Sequence, residues 1–278
     1  MENKVFRGHL IRKGILGGVF ALFTVAAIVA VTTVNRELIT PNEGFITAFL
    51  CSVDSGGAKN SMGDRLAVEI EQEGIVLAKN DDNCLPFSKD TKHVNVFGYD
   101  AYEWVISNSG SGTIEYKSTG TPMSILDALT DKGIEYNTDI IDYYKDFASP
   151  RDYEAKSYSS SYNTIYRLVN PSLSKNADYQ AVYDAALDGT DTAIVCIGRW
   201  GGEHLDPPHQ QINNVDTKGG STKNPDRGYL EITEEEEELL TAVGQDYDHV
   251  VVIINSVNIM QMDFMTQIDG LDACLLPL

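Results

Sequence analysis

Residues 197–206 read IGRWGGEHLD and set a single carboxylic acid, Glu203, on a glycine-containing loop at the end of an apolar run. A carboxyl group held on an ordered loop can give and take a proton during a reaction; it can equally be a solvated loop acid. Trp200 is a candidate substrate-binding residue, placed to form an apolar wall that would help Glu203 keep its proton, or simply to pack. Pro207 and Pro208 stiffen the exit from this loop. A second stretch with chemical potential is SNSGSGTI, residues 107–114, where Ser111 lies between Gly110 and Gly112. Glycine there lets the backbone approach a ligand closely, although a plain turn has the same composition. The stretch lacks the Lys-Ser/Thr ending of a P-loop and the full dinucleotide fingerprint, so no nucleotide cofactor is expected.

The four cysteines, Cys51, Cys84, Cys196 and Cys274, form no CxxC pair and no metal-like spacing, and no metal is expected from them. Cys196 and Cys274 lie inside apolar runs, where cysteine behaves as a small core residue. Cys51 and Cys84 have the option of pairing in an oxidising compartment.

The elements that hold the two loops are read from periodicity. The runs HVNVFG (93–98), TAIVCIG (192–198) and HVVVIIN (249–255) are rich in β-branched residues, and a fourth begins at ACLLPL. They are continuous rather than alternating, which predicts an α/β fold: a mostly parallel sheet with helices covering both faces. Helical spacing predicts helices over 65–78, packed against the sheet, and within 121–133 and 177–187. A further helix opens on a capping box, Thr233 with Glu236, and is expected to stop at Gly244, its acidic run forming a solvated face. Residues 142–175 are rich in Tyr and Ser without a clear period, and packing is the simpler role for their aromatic rings than stacking on sugars. In a doubly wound sheet, functional loops gather beyond the carboxyl ends of the strands, where 107–114 and 199–208 both fall.

The chain has 278 residues and a formal charge of -20. Lys4, Arg7, Arg12 and Lys13 against Glu2 give the first 34 residues +3, which leaves -23 on the remainder. An acidic body of that size repels phosphate backbones, so nucleic acid is excluded as a partner. Gly14–Val34 is 21 residues without a formal charge, close to the roughly 20 that span a bilayer core. Preceded by basic residues, it is expected to be one transmembrane helix with the body on the extracytoplasmic side, the alternative being a cleaved signal peptide followed by secretion. The expected organisation is a cytoplasmic tail (1–13), the anchor (14–34), a linker (35–64) and an α/β domain (65–278).

Five stretches occur in an order that resembles one family: EGIVLAKNDDNCLPF (73–87), VNVFG (94–98), SGSG (109–112), DTAIVCIGRWGGEHLD (191–206) and YLEITEEEEELLTAV (229–243), followed by HVVVIINSVNIMQMDF. Together they look like the α/β sandwich domain of the family 3 glycoside hydrolases, over roughly residues 65–278. The resemblance implies a retaining, exo-acting β-glucosidase-like hydrolase acting on an oligosaccharide or β-glucoside, without a cofactor. In that family a barrel domain supplies an aspartate nucleophile and the sandwich supplies the acid/base glutamate. Carried onto this chain, the acid/base is Glu203, Ser111 matches a serine that touches the sugar in the first subsite, and Asp206 matches the aspartate of a Gly-Glu-Gly-x-Asp-Arg pattern. Here His204 stands in place of the second glycine and Pro207 in place of the arginine.

A barrel takes about 250 residues, and the sandwich motifs occupy most of the chain after Val34, so the nucleophile is expected outside these 278 residues. The arrangement resembles the minority of the family in which the sandwich precedes the barrel, and the ending in DACLLPL fits a domain that continues. The chain alone is therefore expected to be inactive. The alternatives are an anchored, non-catalytic module that binds carbohydrate or protein, and a flavodoxin-like regulatory domain, which the missing phosphate chemistry disfavours.

Overall fold

The computed structural model describes residues 61–105, 123–148, 166, 168–202, 206–217 and 220–277, without the side chains of 61–65, 67 and 212–225. The chain divides into two units, 1–43 and 44–278, and all described residues lie in the second. The anchor expected at 14–34, most of the linker and Cys51 lie outside the described residues. Among the described residues no helix is long and apolar enough to cross a membrane.

Each β-branched run is a strand. In chain order the described strands are β1 (Val76–Asn80), β2 (His93–Phe97), β3 (Glu135–Tyr136), β4 (Thr192–Arg199), β5 (Gln210–Thr217), β6 (Gly220–Gly228), β7 (His249–Ser256) and β8 (Ala273–Leu276). Six of them pair in the order β1-β8-β7-β4-β2-β3, and β5 with β6 forms a separate antiparallel hairpin. In the large sheet every pairing is parallel except β1 with β8. The longest ladder joins β4 and β7 without a break, from Thr192↔His249 to Arg199↔Ser256.

The continuous apolar character of these strands follows from burial on both faces. Ala193, Val195 and Ile197 of β4 join Val250, Val252 and Ile254 of β7 in one core; Ile194 and Cys196 join Val251 and Ile253 in the other. The described helices are α1 (Ser61–Gly74), α2 (Tyr99–Tyr102), α3 (Ile125–Asp131), α4 (Thr138–Phe147), α5 (Ala177–Ala186), α6 (Glu234–Asp246) and α7 (Phe264–Gln267). The first core is covered by α4, α5, α6 and α7 through Tyr144, Tyr179, Leu240 and Phe264, and the second by α3 through Ile125, Ala128 and Leu129. Capping boxes start α3 (Ser124 with Asp127) and α6 (Thr233 with Glu236), so orphan amides at both helix starts are satisfied locally.

Two expectations are corrected. The helix read over 65–78 ends at Gly74, and Val76–Asn80 is instead an edge strand paired with β8. Leu66 and Ile70 are 54% and 63% exposed, so α1 does not lay these residues against the sheet. Gly244 does not stop α6, which runs on to Asp246. It is a packing glycine: a Cβ there would collide with the Asp269 carbonyl oxygen, where the turn at Gly270 crosses the helix.

Rings of the Tyr-rich segment that are described pack, as expected. Tyr143 stacks on Tyr179 with centroids 5.1 Å apart and on Phe147 at 5.8 Å. Tyr144 and Tyr179 share a hydroxyl-hydroxyl hydrogen bond of 2.5 Å, and the Tyr144 hydroxyl also accepts from Gly98 N at 2.8 Å. Residues 149–165 lie outside the described residues. Farther on, the Glu238 carboxylate accepts from Ser172 Oγ and from the amides of Leu173 and Ser174, at 2.8, 2.8 and 2.9 Å. Partial burial opposes its charge, but these donors win and hold its pKa below the ordinary carboxylate value. The clamp therefore adds stability above that ordinary value and is lost as the pH falls through the lowered one.

Cys196 and Cys274 are core residues, as read. Burial pushes the Cys274 thiol up to about 12. Burial, and then the Asp272 carboxylate, push Cys84 up to about 11.

Gly98 closes β2 with a φ of +90°, and a Cβ there would collide with the Cys196 carbonyl oxygen of β4. Gly98→Ala adds backbone strain to overpacking and is expected to destabilise the protein by roughly 2–5 kcal/mol. Urea unfolding checks this, and a loss under about 1 kcal/mol would contradict the close approach.

Candidate active site at the carboxyl ends of the central strands

The path of the chain through the sheet reverses between β2 and β4. After β2 the sheet grows outward to β3; the chain then returns to place β4 on the other side of β2, and growth continues through β7 and β8. That reversal is a topological switch point, and in open α/β sheets ligands bind beyond the carboxyl ends of the strands at such a point, here β2 and β4. In sequence, Glu203 follows the end of β4 by four residues and Ser111 follows α2 by nine. The strand ends themselves are tightly joined, since a Cβ on Gly198 would collide with the buried Asp100 carboxylate at the start of α2.

Arg199, the last residue of β4, anchors the base of the Glu203 loop. Its side chain is fully buried, and all five guanidinium hydrogens are used. Nε donates to Tyr229 O at 2.8 Å. Nη1 donates to Gly198 O at 2.8 Å and to Glu236 Oε1 at 2.9 Å. Nη2 donates to Glu231 O at 2.7 Å and to Glu236 Oε2 at 2.6 Å. Burial disfavours the cation, but the Glu236 carboxylate more than offsets this and raises the guanidinium pKa. Glu236 in turn accepts from Thr233 N at 2.8 Å and from Asn170 Nδ2 at 3.1 Å. One ion pair thus ties β4, the start of α6, the turn at 229–231 and Asn170 together.

This corrects the reading of the acidic run as a solvated face. Glu236 is only 2% exposed, while its neighbour Glu237 pairs with Arg227 near the surface and Glu238 clamps 172–174.

The next two residues are pinned as well. Trp200 donates its amide to the Tyr229 hydroxyl at 3.1 Å, and its ring meets Tyr166 edge-on at 5.2 Å. It is 3% exposed, within a small core that also holds Val105 and Leu168. Gly201 lies so close to the loop after β7 that a Cβ would collide with Asn258 Nδ2. That loop is held by Ser256 Oγ, which donates to Asn258 O at 2.6 Å and accepts from Asn258 N at 3.2 Å.

Beyond the loop, Gln211 of β5 is buried and donates Nε2 to the carbonyls of Gly228, Glu231 and Ile232, at 3.2–3.3 Å. Glu203 itself, Ser111, Gly110 and Gly112 lie outside the described residues; Asp206 is described and exposed. The structure therefore describes both ends of the Glu203 loop, one fixed by Arg199, Trp200 and Gly201 and the other leading through Asp206 to the hairpin.

Three buried side-chain atoms have no hydrogen-bond partner among the described residues: Trp200 Nε1, Asn258 Nδ2 and Gln211 Oε1. Trp200 and Asn258 bracket Gly201, and Gln211 sits at the base of the following hairpin. A buried polar atom without a partner is costly, so each of these calls for a partner from water, a ligand or residues outside those described. Arg199, Glu236, Asn258 and the hairpin were not identified as site elements from the sequence. The one signal available for Arg199 was a cation directly following the apolar run TAIVCIG, which calls for a buried partner.

Known proteins share this sequence pattern and this sheet. The family described as "Glycosyl hydrolase family 3 C-terminal domain" matches residues 75–277. A β-glucosidase of Ruminococcus albus is 30% identical over 203 residues, covering 72% of this chain and 18% of that protein. β-Glucosidase A of Butyrivibrio fibrisolvens is 26% identical over 223 residues, covering 76% and 24%. The match thus spans about a fifth to a quarter of these relatives. Among solved structures, β-glucosidase 3B of Thermotoga neapolitana in complex with glucose aligns with a TM-score of 0.54 at 20% identity, over 79% of this chain and 27% of that one. A β-glucosidase of Paenibacillus barengoltzii aligns with a TM-score of 0.50 at 23% identity, over 73% and 20%. At these identities the structural likeness speaks for the fold.

Proposed function

Because the chain belongs to glycosyl hydrolase family 3 through that family's C-terminal domain, we propose that it supplies the general acid/base, Glu203, of a retaining, exo-acting β-glucosidase-like enzyme. The aspartate nucleophile lies on a barrel domain of the same full-length protein. The observation that carries this reading is the anchoring of β4 by Arg199 and Glu236 at the switch point, four residues before Glu203.

Retaining hydrolysis needs two carboxyl groups about 5–5.5 Å apart. The nucleophile attacks the anomeric carbon while Glu203 gives its proton to the departing oxygen. Glu203, now a carboxylate, then takes a proton from the water that attacks the glycosyl-enzyme, which releases the sugar with its configuration retained and restores both groups. A proton held near neutral pH requires partial desolvation and the nearby nucleophile's charge. The buried Trp200 lends the loop base an apolar side. Ser111, Gly110, Gly112 and Asp206 are the proposed contacts to the sugar of a β-glucoside or oligosaccharide.

Aryl β-glucoside hydrolysis tests the assignment. Turnover is expected from the protein that includes the barrel and none above the buffer blank from this 278-residue chain. Hydrolysis by the chain alone would place the nucleophile within it and overturn the two-domain reading.

We also propose that residues 14–34 anchor the protein with its body on the extracytoplasmic side. Protease added to intact cells is expected to digest the body and spare the N-terminal tail. A body protected until lysis would reverse the orientation.

A further inference from the structure

We propose that Cys84, His249 and Asp272 form a zinc-binding site at the amino ends of the strands, the opposite end of the sheet from Arg199. Their ligand atoms, a thiol sulfur, an imidazole nitrogen and a carboxylate oxygen, all lie within 4.8 Å of one another. The residues are far apart in sequence, which is why cysteine spacing gave no sign of them. The topology assembles them. His249 opens β7 and Asp272 immediately precedes β8, its parallel neighbour. Because β1 runs antiparallel to β8, its far end, Asn80, pairs with Ala273 and delivers Cys84 to the same edge.

The backbone around all three ligands is fixed. Asn80 clasps the Cys84 turn, its side chain donating to Leu85 O at 2.7 Å and accepting from Leu85 N at 2.8 Å. Cys84 N donates to Asp81 O at 3.0 Å, and Asp81 N to Asp272 O at 2.8 Å. His249 N donates to Asp191 O at 3.1 Å. Asp272 Oδ2 accepts from Val250 N at 2.7 Å, which orients the carboxylate and leaves Oδ1 for a metal. This is the outer-shell support that metal-ligating carboxylates use.

Tetrahedral zinc, with bonds of about 2.0–2.3 Å, sets its ligand atoms roughly 3.3–3.8 Å apart. Closing from within 4.8 Å to that spacing asks side-chain rotation of exposed His249 and half-buried Cys84 for about 1–1.5 Å at most. A thiolate with an imidazole selects zinc over calcium or magnesium, which take all-oxygen sets. Three protein ligands leave a fourth position for water. Binding converts the Cys84 thiol to thiolate and releases its proton to solvent.

A cation also has an approach. His249 borders an open cleft of about 860 Å³ whose walls carry Asp188, Asp191, Asp246 and Asp248. Of the three ligands only His249 lines this cleft, and its five aspartates, Asp90 included, outnumber Lys92, so the cleft favours a cation beside His249.

The test uses the full-length protein, stripped with chelator and titrated with zinc and, separately, with cobalt(II). One equivalent of zinc is expected to bind and to raise the melting temperature. Cobalt(II) is expected to give intense visible bands of tetrahedral coordination and a near-ultraviolet thiolate charge-transfer band. Cys84→Ser should abolish the charge-transfer band, and both it and His249→Ala should weaken zinc binding at least about 10–100-fold. Cys51→Ser and His93→Ala, the latter at another exposed histidine that lines the cleft, should change neither. No stoichiometric zinc in the wild type, or zinc binding and a charge-transfer band that survive Cys84→Ser, would overturn the site. If a variant fails to fold, the wild-type cobalt spectrum decides: absence of the thiolate band rejects Cys84 as a ligand. None of these readouts depends on Glu203 or on hydrolysis.

Discussion

Glu203→Ala, in the protein that includes the barrel, is expected to lower kcat/KM for phenyl β-glucoside about 10²–10⁴-fold, the usual worth of a positioned general acid. That corresponds to about 2.7–5.5 kcal/mol of transition-state stabilisation. The same variant should cleave 2,4-dinitrophenyl β-glucoside with nearly unchanged kcat/KM, because dinitrophenolate departs without a proton. Its kcat should fall even so, since water attacking the glycosyl-enzyme has lost its base, and a burst of dinitrophenolate should precede a slow steady state. Leaving-group dependence is what separates an acid/base from an acid that only supports folding, which would depress every substrate alike. Steady-state and stopped-flow rates across a series of aryl glucosides measure it.

The second large effect is on stability. Arg199→Met leaves the Glu236 carboxylate buried without its partner, and breaking such a pair costs about 3–5 kcal/mol. It also strips a donor from the carbonyls of Gly198, Tyr229 and Glu231. Arg199→Lys keeps the charge but cannot reproduce the planar fork that reaches both Glu236 oxygens and three carbonyls, so it should fall between wild type and Met. Arg199→Met combined with Glu236→Leu should cost less than the sum of the two single changes, because neither side is then left charged and alone. Urea unfolding measures these differences. If Arg199 also positions the Glu203 loop, the folded Lys variant should lose kcat for phenyl β-glucoside with little change in KM. A wild-type stability for Arg199→Met would mean that the ion pair does not hold β4 to α6.

The framework was legible because its strands are buried on both faces, and that forces uninterrupted β-branched runs at 93–97, 192–199 and 249–256. The capping box at Thr233 was equally readable, since the local spacing of hydroxyl and carboxylate makes it. What failed depended on distant contacts. Val76–Asn80 reads as the end of a helix until β8 is there to pair with it, and Gly244 reads as a stop until the turn at Gly270 is seen to cross it. Glu236 looked solvated in a run of five acids, and its partners Arg199 and Asn170, 37 and 66 residues away in sequence, are what the local pattern does not show. Glu203 is a candidate from its strand-loop setting and family motif, and the residue itself lies outside the described ones. What holds Arg199, Trp200 and Gly201 before it was not legible, for it comes from Tyr229, Glu231, Glu236 and Asn258, which belong to three later segments.

Azide separates the catalytic reading of Glu203 from every other. A small anion that attacks the glycosyl-enzyme needs no base, so adding azide to the Glu203→Ala enzyme with 2,4-dinitrophenyl β-glucoside should restore turnover. It should also give β-glucosyl azide, with the configuration of the substrate retained. Turnover that does not respond to azide, with no glucosyl azide formed and an unchanged melting temperature, would show that Glu203 is not the acid/base.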